Sequence, residues 1–277
     1  MTLAPTRPLL SGAQIPLLGL GTYPLKDDEA ATAVAAGIEA GYRLIDTASK
    51  YENEAAVGRG IRDSGIDPDE LFVTTKLRGA DHGADKVRSA VEQSLERLGL
   101  DRVDLFLIHW PVPRVGRFVE SYAALLEQRD AGLIGSVGVS NFKAHHIEAL
   151  AKEIEEPPAL NQIQLCPAIA RTELRHWLDD HDIVAQAWSP LGIDEGVPDE
   201  SVVTSIAGEL GRTPGQVILR WHVQQGIVAI PKSADPVRQQ QNIDVFGFEL
   251  STEQMTALYG LDRGEGAAVD SDEHEEF

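Results

Sequence analysis

The sequence of 277 residues predicts an α/β barrel, in which eight parallel strands, each followed by a helix, close into a ring. Short apolar runs alternate with amphipathic runs eight times along the chain, and no Ser/Gly/Pro-rich linker divides it. A doubly wound open sheet is the alternative, and it usually carries the motif G-x-G-x-x-G after its first strand. Here Gly19 and Gly21 are followed by Pro24 at the third position, so this motif is absent and the barrel is favoured.

The strands of the barrel are assigned to eight short apolar runs. Before the first of them, Ser11-Gly12 separates two apolar stretches, which predicts that residues 1–16 form a β-hairpin that closes the bottom of the barrel. The predicted strands are residues 17–22, 42–46, 71–76, 103–109, 134–140, 159–164, 182–188 and 226–232.

The runs between the strands have the periodicity of helices. In residues 85–100 apolar residues recur every three to four positions, which is typical of an amphipathic helix. Residues 213–226 begin with Thr213 as a capping residue and Pro214 in the first turn, and they end at Gly226. The whole chain, residues 1–277, is therefore expected to be one barrel domain.

Composition and charge exclude several classes of function. The formal net charge is −20, and a surface of this charge repels phosphate backbones, so a nucleic-acid partner is not expected. No apolar run reaches the roughly 18 residues of a membrane span, and no secretory signal is evident. A single cysteine, Cys166, excludes an internal disulfide, which fits a cytoplasmic protein. The chain ends in an acidic tail, residues 262–277, and its last stretch, DSDEHEEF (270–277), is expected to be solvated.

Polar or aromatic residues end most of the predicted strands. The carboxyl ends of parallel barrel strands meet at one rim, where the active sites of this fold lie. Seven strand ends that supply titratable or hydrogen-bonding groups therefore predict a functional site at that rim. These residues are Asp46, Lys76, His109, Ser140, Asn141, Gln162, Trp188, Ser189, Lys232 and Ser233.

Four residues near these ends predict acid–base chemistry. A buried lysine such as Lys76 needs a counter-charge, and Asp46 is the natural candidate. A free phenol titrates at about pH 10, and a neighbouring ammonium lowers its pKa, so Lys76 is expected to make Tyr51 a usable proton donor. His109 is placed to orient a bound carbonyl group by hydrogen bonding.

Seven stretches carry a family resemblance when they are taken together and in order. They are GYRLIDTASKYENEAAVG (41–58), LFVTTKL (71–77), DLFLIHWP (104–111), GVSNF (138–142), NQIQ (161–164), AWSPLG (187–192) and IPKSADPVRQQQNIDVFGFEL (230–250). On these stretches the chain resembles the aldo-keto reductases over nearly its whole length. Among the subgroups it is most similar to the bacterial reductases that include the 2,5-diketo-D-gluconate reductases.

The resemblance implies an NADPH-dependent oxidoreductase that reduces the carbonyl group of a small molecule to an alcohol. Tyr51 would be the general acid, Lys76 and Asp46 the pair that tunes it, and His109 the residue that orients the carbonyl. Keto sugars, keto acids and small dicarbonyls are candidate substrates. The resemblance also implies a monomer.

The cofactor positions carry over in the same way. Ser140, Asn141 and Gln162, at two strand ends, match the residues that bind the nicotinamide carboxamide, and Trp188 matches the aromatic residue that stacks on the ring. Lys232, Ser233 and Arg238 match the site of the adenosine 2′-phosphate, which predicts NADPH over NADH. The implied set for NADPH or NADP+ is Thr22, Ser140, Asn141, Gln162, Trp188, Ser189, Leu191, Lys232, Ser233, Arg238 and Asn242.

Three residues are assigned to the substrate pocket. Tyr23 and Trp110 match positions that give the pocket apolar walls. Where many family members read K-L-W-N, this chain has Lys76-Leu77-Arg78-Gly79, so a usual aromatic residue is absent. The hypothesis is that Arg78 adapts the pocket to polar or anionic carbonyl substrates.

Two other functions remain open, and a metal site is not expected. Lys76 could be the Schiff-base nucleophile of a lyase, although this would leave Trp188 and the Lys232–Arg238 cluster without a role. The chain could instead be a cofactor-sensing regulatory protein with little turnover. His145-His146 and Asp180-His181-Asp182 have no third ligand at suitable spacing, so no metal is predicted.

Overall fold

A ring of eight parallel strands lies at the centre of the computed structural model, which describes residues 3–276. The strands pair in chain order, and two bridges, Leu18 to Ala229 and Gly21 to Lys232, connect the first strand to the last. The predicted barrel is therefore confirmed. Its strands are β3 (Leu20–Gly21), β4 (Leu44–Asp46), β5 (Phe72–Leu77), β6 (Val103–Ile108), β7 (Ile134–Ser140), β8 (Leu160–Gln164), β9 (Val184–Trp188) and β10 (Val228–Ala229).

Within residues 3–276, ten α-helices accompany the strands. Both helices singled out in the sequence are present: Thr213 caps the helix that starts at Pro214, and its hydroxyl accepts a hydrogen bond from the Gln216 amide at 3.2 Å. The helices are α1 (Asp27–Ala40), α2 (Glu54–Ser64), α3 (Ala84–Leu98), α4 (Phe118–Asp130), α5 (Ala144–Ala151), α6 (Thr172–Asp179), α7 (Ser201–Leu210), α8 (Pro214–Val223), α9 (Pro236–Ile243) and α10 (Thr252–Tyr259).

Successive strand residues divide between two apolar clusters, because side chains alternate across a strand. Leu105 and Leu107 belong to the smaller cluster, which contains inward-facing residues of several strands. Phe106 and Ile108, between and after them, belong to the larger cluster, which includes residues of the surrounding helices. Apolar packing therefore fills the barrel on one side of the strands and fixes the helices on the other.

The predicted hairpin closes the end of the barrel at which the strands begin. It consists of β1 (Thr6–Pro8) and β2 (Gln14–Pro16), paired antiparallel, with Gly12 at φ 84° in the turn. Leu9 and Ile15 are buried in the smaller apolar cluster together with Leu44, the first residue of β4. This arrangement leaves the opposite rim, at the carboxyl ends, open for a site.

Some strands are shorter than predicted, and for β10 the structure shows why. β10 covers only Val228–Ala229 of the predicted run 226–232. Pro231 has no N–H group, so the regular ladder cannot continue through it. Within the described chain no helix combines the length and the apolar character that a membrane span requires.

Two helical glycines give a matched test of the packing between helices. A Cβ added at Gly58 in α2 would overlap the carbonyl oxygen of Leu98, whereas a Cβ added at Gly208 in α7 would meet no atom within 4 Å. Urea unfolding should show that Gly58→Ala lowers the free energy of unfolding by about 1–3 kcal/mol. Gly208→Ala should raise it by about 0.5–1 kcal/mol, because alanine favours a helix. Equal effects of the two substitutions would contradict this account.

Candidate active site

A cavity of about 890 Å³ opens at the carboxyl ends of the strands. It brings together most of the residues selected from the sequence, although they are spread over more than 200 positions of the chain. The predicted residues that line it are Thr22, Tyr23, Asp46, Tyr51, His109, Trp110, Ser140, Asn141, Gln162, Trp188, Ser189, Leu191 and Lys232. Lys76, Arg78, Ser233, Arg238 and Asn242 are not among the lining residues.

Lys76 forms a buried ion pair with Asp46 beneath the cavity floor. The Lys76 side chain has 0% exposure and that of Asp46 has 3%, and Nζ lies 2.5 Å from Oδ1. Nζ also donates to the carbonyl oxygen of Thr47 at 2.9 Å and to the hydroxyl of Tyr51 at 3.4 Å. The three donors of the ammonium are thus all directed to oxygen atoms.

The second oxygen of Asp46 is also hydrogen-bonded. Gln162 Nε2, in the middle of β8, donates to Asp46 Oδ2 at 2.7 Å. Burial alone would lower the pKa of Lys76, but the charge of Asp46 and the hydrogen bonds from the ammonium to Asp46 and Tyr51 raise it above its usual value. Lys76 is therefore an ammonium at neutral pH.

Tyr51 is held at the cavity by a short helical turn, Ser49–Tyr51. The Ser49 hydroxyl donates to the carbonyl oxygen of Lys76 at 2.9 Å, which ties this turn to β5. The ring of Tyr51 lies 5.0 Å from the ring of Tyr23 and 5.5 Å from the ring of His109, between centroids. The phenol, ammonium and imidazole thus lie at one end of the cavity.

The expectation that Lys76 makes Tyr51 more acidic than a free phenol is wrong for the net direction. Burial raises the pKa of Tyr51 above 10, the Lys76 charge lowers it, and the charge of Asp46 raises it again. The ammonium of Lys76 lowers the pKa of the phenol, as expected from the sequence, but burial favours the neutral phenol and has the larger effect. Tyr51 therefore keeps its proton at neutral pH, and Lys76 limits the increase.

His109 is a neutral imidazole covered by the chain's own tail. Burial lowers its pKa, and the nearby carboxylate of Glu276 opposes this only in part. His109 Nδ1 is buried, and Glu276 Oε1 lies 2.6 Å from it. Because a neutral imidazole carries one N–H, His109 can donate only one hydrogen bond.

Asn141, which follows β7, connects this strand to the ends of two others. Its backbone has φ 62°, in the left-handed region that asparagine tolerates better than most residues. Its amide nitrogen donates to the carbonyl oxygen of His109 at 3.1 Å and to the Ser140 hydroxyl at 3.1 Å. Its amide oxygen accepts a hydrogen bond from the indole N–H of Trp188 at 2.8 Å. The indole is thereby fixed at the cavity wall.

The residues predicted to hold a phosphate lie around the start of α9. Lys232 reaches the cavity wall, whereas the hydroxyl of Ser233 is engaged with the backbone of Asp235, the capping residue of α9. Arg238 is 65% exposed and pairs with Asp235 at 3.2 Å. Asn242 is buried in the last turn of the same helix. Of these residues, only Lys232 lies in the cavity wall, and the other three lie next to it in or near α9.

Arg78 does not reach the cavity wall. Its Nε lies 2.8 Å from Oδ2 of Asp81, three residues further along the chain. The side chain is 43% exposed, and the pairing with Asp81 is the largest contribution that raises its pKa. In this arrangement the guanidinium is committed to a local partner.

The acidic tail is the part of the site that sequence reasoning missed. Residues 270–277 were expected to be solvated, and this is wrong for part of the stretch: Ser271 and Glu276 are buried, and the ring of His274 lies 3.9 Å from that of Trp110. Three loops that follow β6, β7 and β8 each supply a cation to the tail. The pairs are Arg114 with Glu275 at 2.6 Å, Lys143 with Asp270 at 2.5 Å and with Asp272 at 2.6 Å, and Arg171 with Glu265 at 2.6 Å. A basic residue after each of three successive strands was the signal available in the sequence.

The tail also brings a third potential ligand to His145 and His146, so the expectation that they have none is wrong. One ligand atom of each residue and one of Asp272 lie within 4.8 Å of one another. However, His146 Nδ1 accepts a hydrogen bond from the Lys143 backbone at 3.1 Å, so the proton of the neutral ring is on Nε2, the atom near Asp272. Together with the Lys143 ammonium, this favours an ion-pair cluster over a metal site.

Comparisons with known proteins agree with this geometry. The sequence model of the "Aldo/keto reductase family" matches residues 17–263. The 2,5-diketo-D-gluconic acid reductase B of Corynebacterium sp. (strain SHS752001) is 46% identical over 273 residues, which are 99% of each chain. The crystal structure of a point mutant of Gox0644 in complex with NADPH is 37% identical, with a TM-score of 0.94, and the match covers 99% of this chain and 100% of the other.

A further solved structure is that of the Bombyx mori aldo-keto reductase AKR2E4 in complex with NADP. It is 35% identical, with a TM-score of 0.88, and the match covers 95% of this chain and 94% of the other. The family resemblance seen in the sequence is therefore confirmed. This chain belongs to the aldo/keto reductase family.

Proposed function

We propose that this chain reduces aldehyde and ketone carbonyl groups to alcohols, with NADPH as the hydride donor and Tyr51 as the proton donor. As a member of its family the chain is an NADP-dependent oxidoreductase. The observation that carries the proposal is the convergence of Tyr51, Asp46 and His109 in a cavity wall that also contains Trp188, with Lys76 buried behind them and bonded to both Asp46 and Tyr51.

The donor set of the cavity fits the cofactor. Asn141, Gln162 and the indole of Trp188 line the cavity and are held in place by hydrogen bonds to protein oxygens, which suits a wall that packs against a nicotinamide. Lys232 lines the wall beside the start of α9, where a phosphate would be bound. When NADPH is bound, it supplies the hydride, while the protein supplies orientation and electrostatics.

Tyr51 then has two tasks that its surroundings support. A free phenol already keeps its proton at neutral pH, and burial raises the pKa of Tyr51 further, so the proton is available for the carbonyl oxygen. Once the proton has left, the Lys76 ammonium, 3.4 Å from the hydroxyl oxygen, stabilises the phenolate. Asp46 keeps Lys76 charged and in place.

His109 is placed to orient the carbonyl oxygen, because its ring lies edge-on to that of Tyr51. As a neutral imidazole it donates a hydrogen bond without adding a positive charge. The walls that Tyr23 and Trp110 contribute are aromatic, so small aldehydes, keto sugars and dicarbonyls are candidate substrates. The Corynebacterium relative is named for a diketo acid, and keto acids are therefore a further candidate class.

The Schiff-base alternative is less well supported. A Schiff base forms from the neutral amine of a lysine, whereas the raised pKa of Lys76 keeps its side chain protonated. The ammonium is also fully buried and bonded to Asp46 and to the carbonyl oxygen of Thr47. A carbonyl compound would have to break this ion pair before it could react.

The proton-donor role is tested by Tyr51→Phe, which keeps the ring and removes the hydroxyl. We expect kcat for aldehyde reduction to fall by about 10²–10⁴-fold, the usual effect of a general acid. The dissociation constant for NADPH, followed by fluorescence, should change by less than about threefold, because the residues proposed to hold the cofactor are intact. Tyr259→Phe is the control, since Tyr259 does not line the cavity. A loss of less than about tenfold in Tyr51→Phe would argue against this role.

The cofactor preference is tested by Arg238→Ala. We expect the wild-type protein to have a higher kcat/KM with NADPH than with NADH, since Lys232, Ser233 and Arg238 suit a 2′-phosphate dianion. Loss of one charge-assisted hydrogen bond should lower kcat/KM for NADPH by about tenfold or more and leave that for NADH within about twofold.

Arg59→Ala is the matched control for this substitution, because Arg59 is a partly exposed arginine that pairs with Asp28 at 3.2 Å and does not line the cavity. It should leave the NADPH to NADH ratio unchanged. A wild-type preference for NADH, or an unchanged ratio in Arg238→Ala, would contradict the assignment of the phosphate site.

A further inference from the structure

The carboxylate of Glu276 occupies the end of the cavity at which the carbonyl group is proposed to bind. Its side chain is 7% exposed, and Oε1 lies 2.6 Å from Nδ1 of His109. The other oxygen, Oε2, accepts a hydrogen bond of 3.4 Å from the backbone N–H of Gly79. Glu276 also lines the cavity together with Tyr51 and Trp110.

The surroundings of Glu276 are shaped to receive the tail. A Cβ at Gly79 would overlap the carbonyl oxygen of Glu276, so glycine at this position lets the two backbones approach. The two residues before Glu276 are also held by contacts: Glu275 pairs with Arg114 at 2.6 Å, and the ring of His274 packs against that of Trp110. The position of the carboxylate therefore results from several independent contacts.

The negative charge of Glu276 is not neutralised by a cation in its immediate surroundings. In residues 3–276 the only basic group within 4.0 Å of its carboxylate is His109, and burial keeps this imidazole neutral by lowering its pKa. The nearby ammonium of Lys76 is matched by Asp46. The guanidinium of Arg78 is matched by Asp81. Among the described residues no ammonium or guanidinium therefore pairs with Glu276, although Lys50 also lines the cavity.

The negative charge of Glu276 has one consequence for a bound substrate. A second carboxylate, belonging to a substrate, would meet a like charge in a partly buried cavity, where screening is weak. This repulsion weakens the binding of anionic substrates and leaves that of uncharged substrates nearly unchanged.

We propose that Glu276 is a specificity-determining residue, whose carboxylate disfavours anionic carbonyl substrates and so selects uncharged ones. The proposal rests on the proposed carbonyl-reductase function. It separates the candidate substrate classes: uncharged aldehydes, keto sugars and dicarbonyls are accepted, and keto acids are discriminated against.

The test compares two aldehydes of similar size, the uncharged 4-nitrobenzaldehyde and the anionic 4-carboxybenzaldehyde. Glu276→Gln removes the charge and nearly retains the shape of the side chain. In this variant kcat/KM for 4-carboxybenzaldehyde should rise by about tenfold or more, the scale of one charge–charge interaction in such a cavity. For 4-nitrobenzaldehyde the change should stay within about threefold.

Glu273→Gln is the matched control, because it makes the same change of charge on the same tail at a side chain that is 75% exposed and does not line the cavity. It should change kcat/KM for neither aldehyde by more than about twofold. An equal response of both aldehydes to Glu276→Gln, or a wild-type preference for 4-carboxybenzaldehyde, would overturn the proposal.

A binding measurement keeps the two hypotheses separable. If the wild-type protein oxidises NADPH with neither aldehyde, the proposed function fails. Calorimetric titration of 4-carboxybenzaldehyde into the wild-type protein and Glu276→Gln then still reports the charge effect. Tighter binding by about tenfold in the variant supports the role of Glu276, and equal binding rejects it.

Discussion

The site depends on the ion pair of Lys76 with Asp46, which lies beneath the cavity floor at 0% and 3% side-chain exposure. Two charges are costly to bury unless each finds its full set of partners. Here the ammonium is bonded to Asp46, Thr47 and Tyr51, and the carboxylate also accepts from Gln162. The pair thus connects β4, β5 and β8, it contacts the phenol at the cavity end, and its ammonium limits the rise of the phenol's pKa.

The sequence predicted the fold and most of the cavity wall because both follow from local patterns. Apolar runs such as 103–109 and the alternating helices indicated a barrel, and a barrel brings strand ends together by its geometry. The direction of the pKa shift of Tyr51 could not be obtained in this way. It depends on how much water the folded chain removes from the hydroxyl, and this is a property of tertiary packing. Arg78 likewise paired with Asp81, which sequence reasoning did not weigh.

The tail shows how a chain of net charge −20 can order an acidic segment. Its carboxylates lie beside Arg114, Lys143 and Arg171, which follow three neighbouring strands, so the local field differs from that of the whole surface. Exposed ion pairs are weak individually, and their effect here comes from acting together with the buried contacts of Glu276 and His274. Net charge alone therefore gave the wrong expectation for this segment.

The central claim is that burial raises the pKa of Tyr51 above that of a free phenol and that Lys76 limits this rise. The most direct measurement is a pH titration of the protein with ¹³Cζ-labelled tyrosine by NMR, in which Tyr51→Phe identifies one of the five tyrosine signals. The account predicts that Tyr51 titrates above about pH 10, the value of a free phenol, and higher still in Lys76→Met. A Tyr51 signal that titrates clearly below that value in the wild-type protein would contradict it.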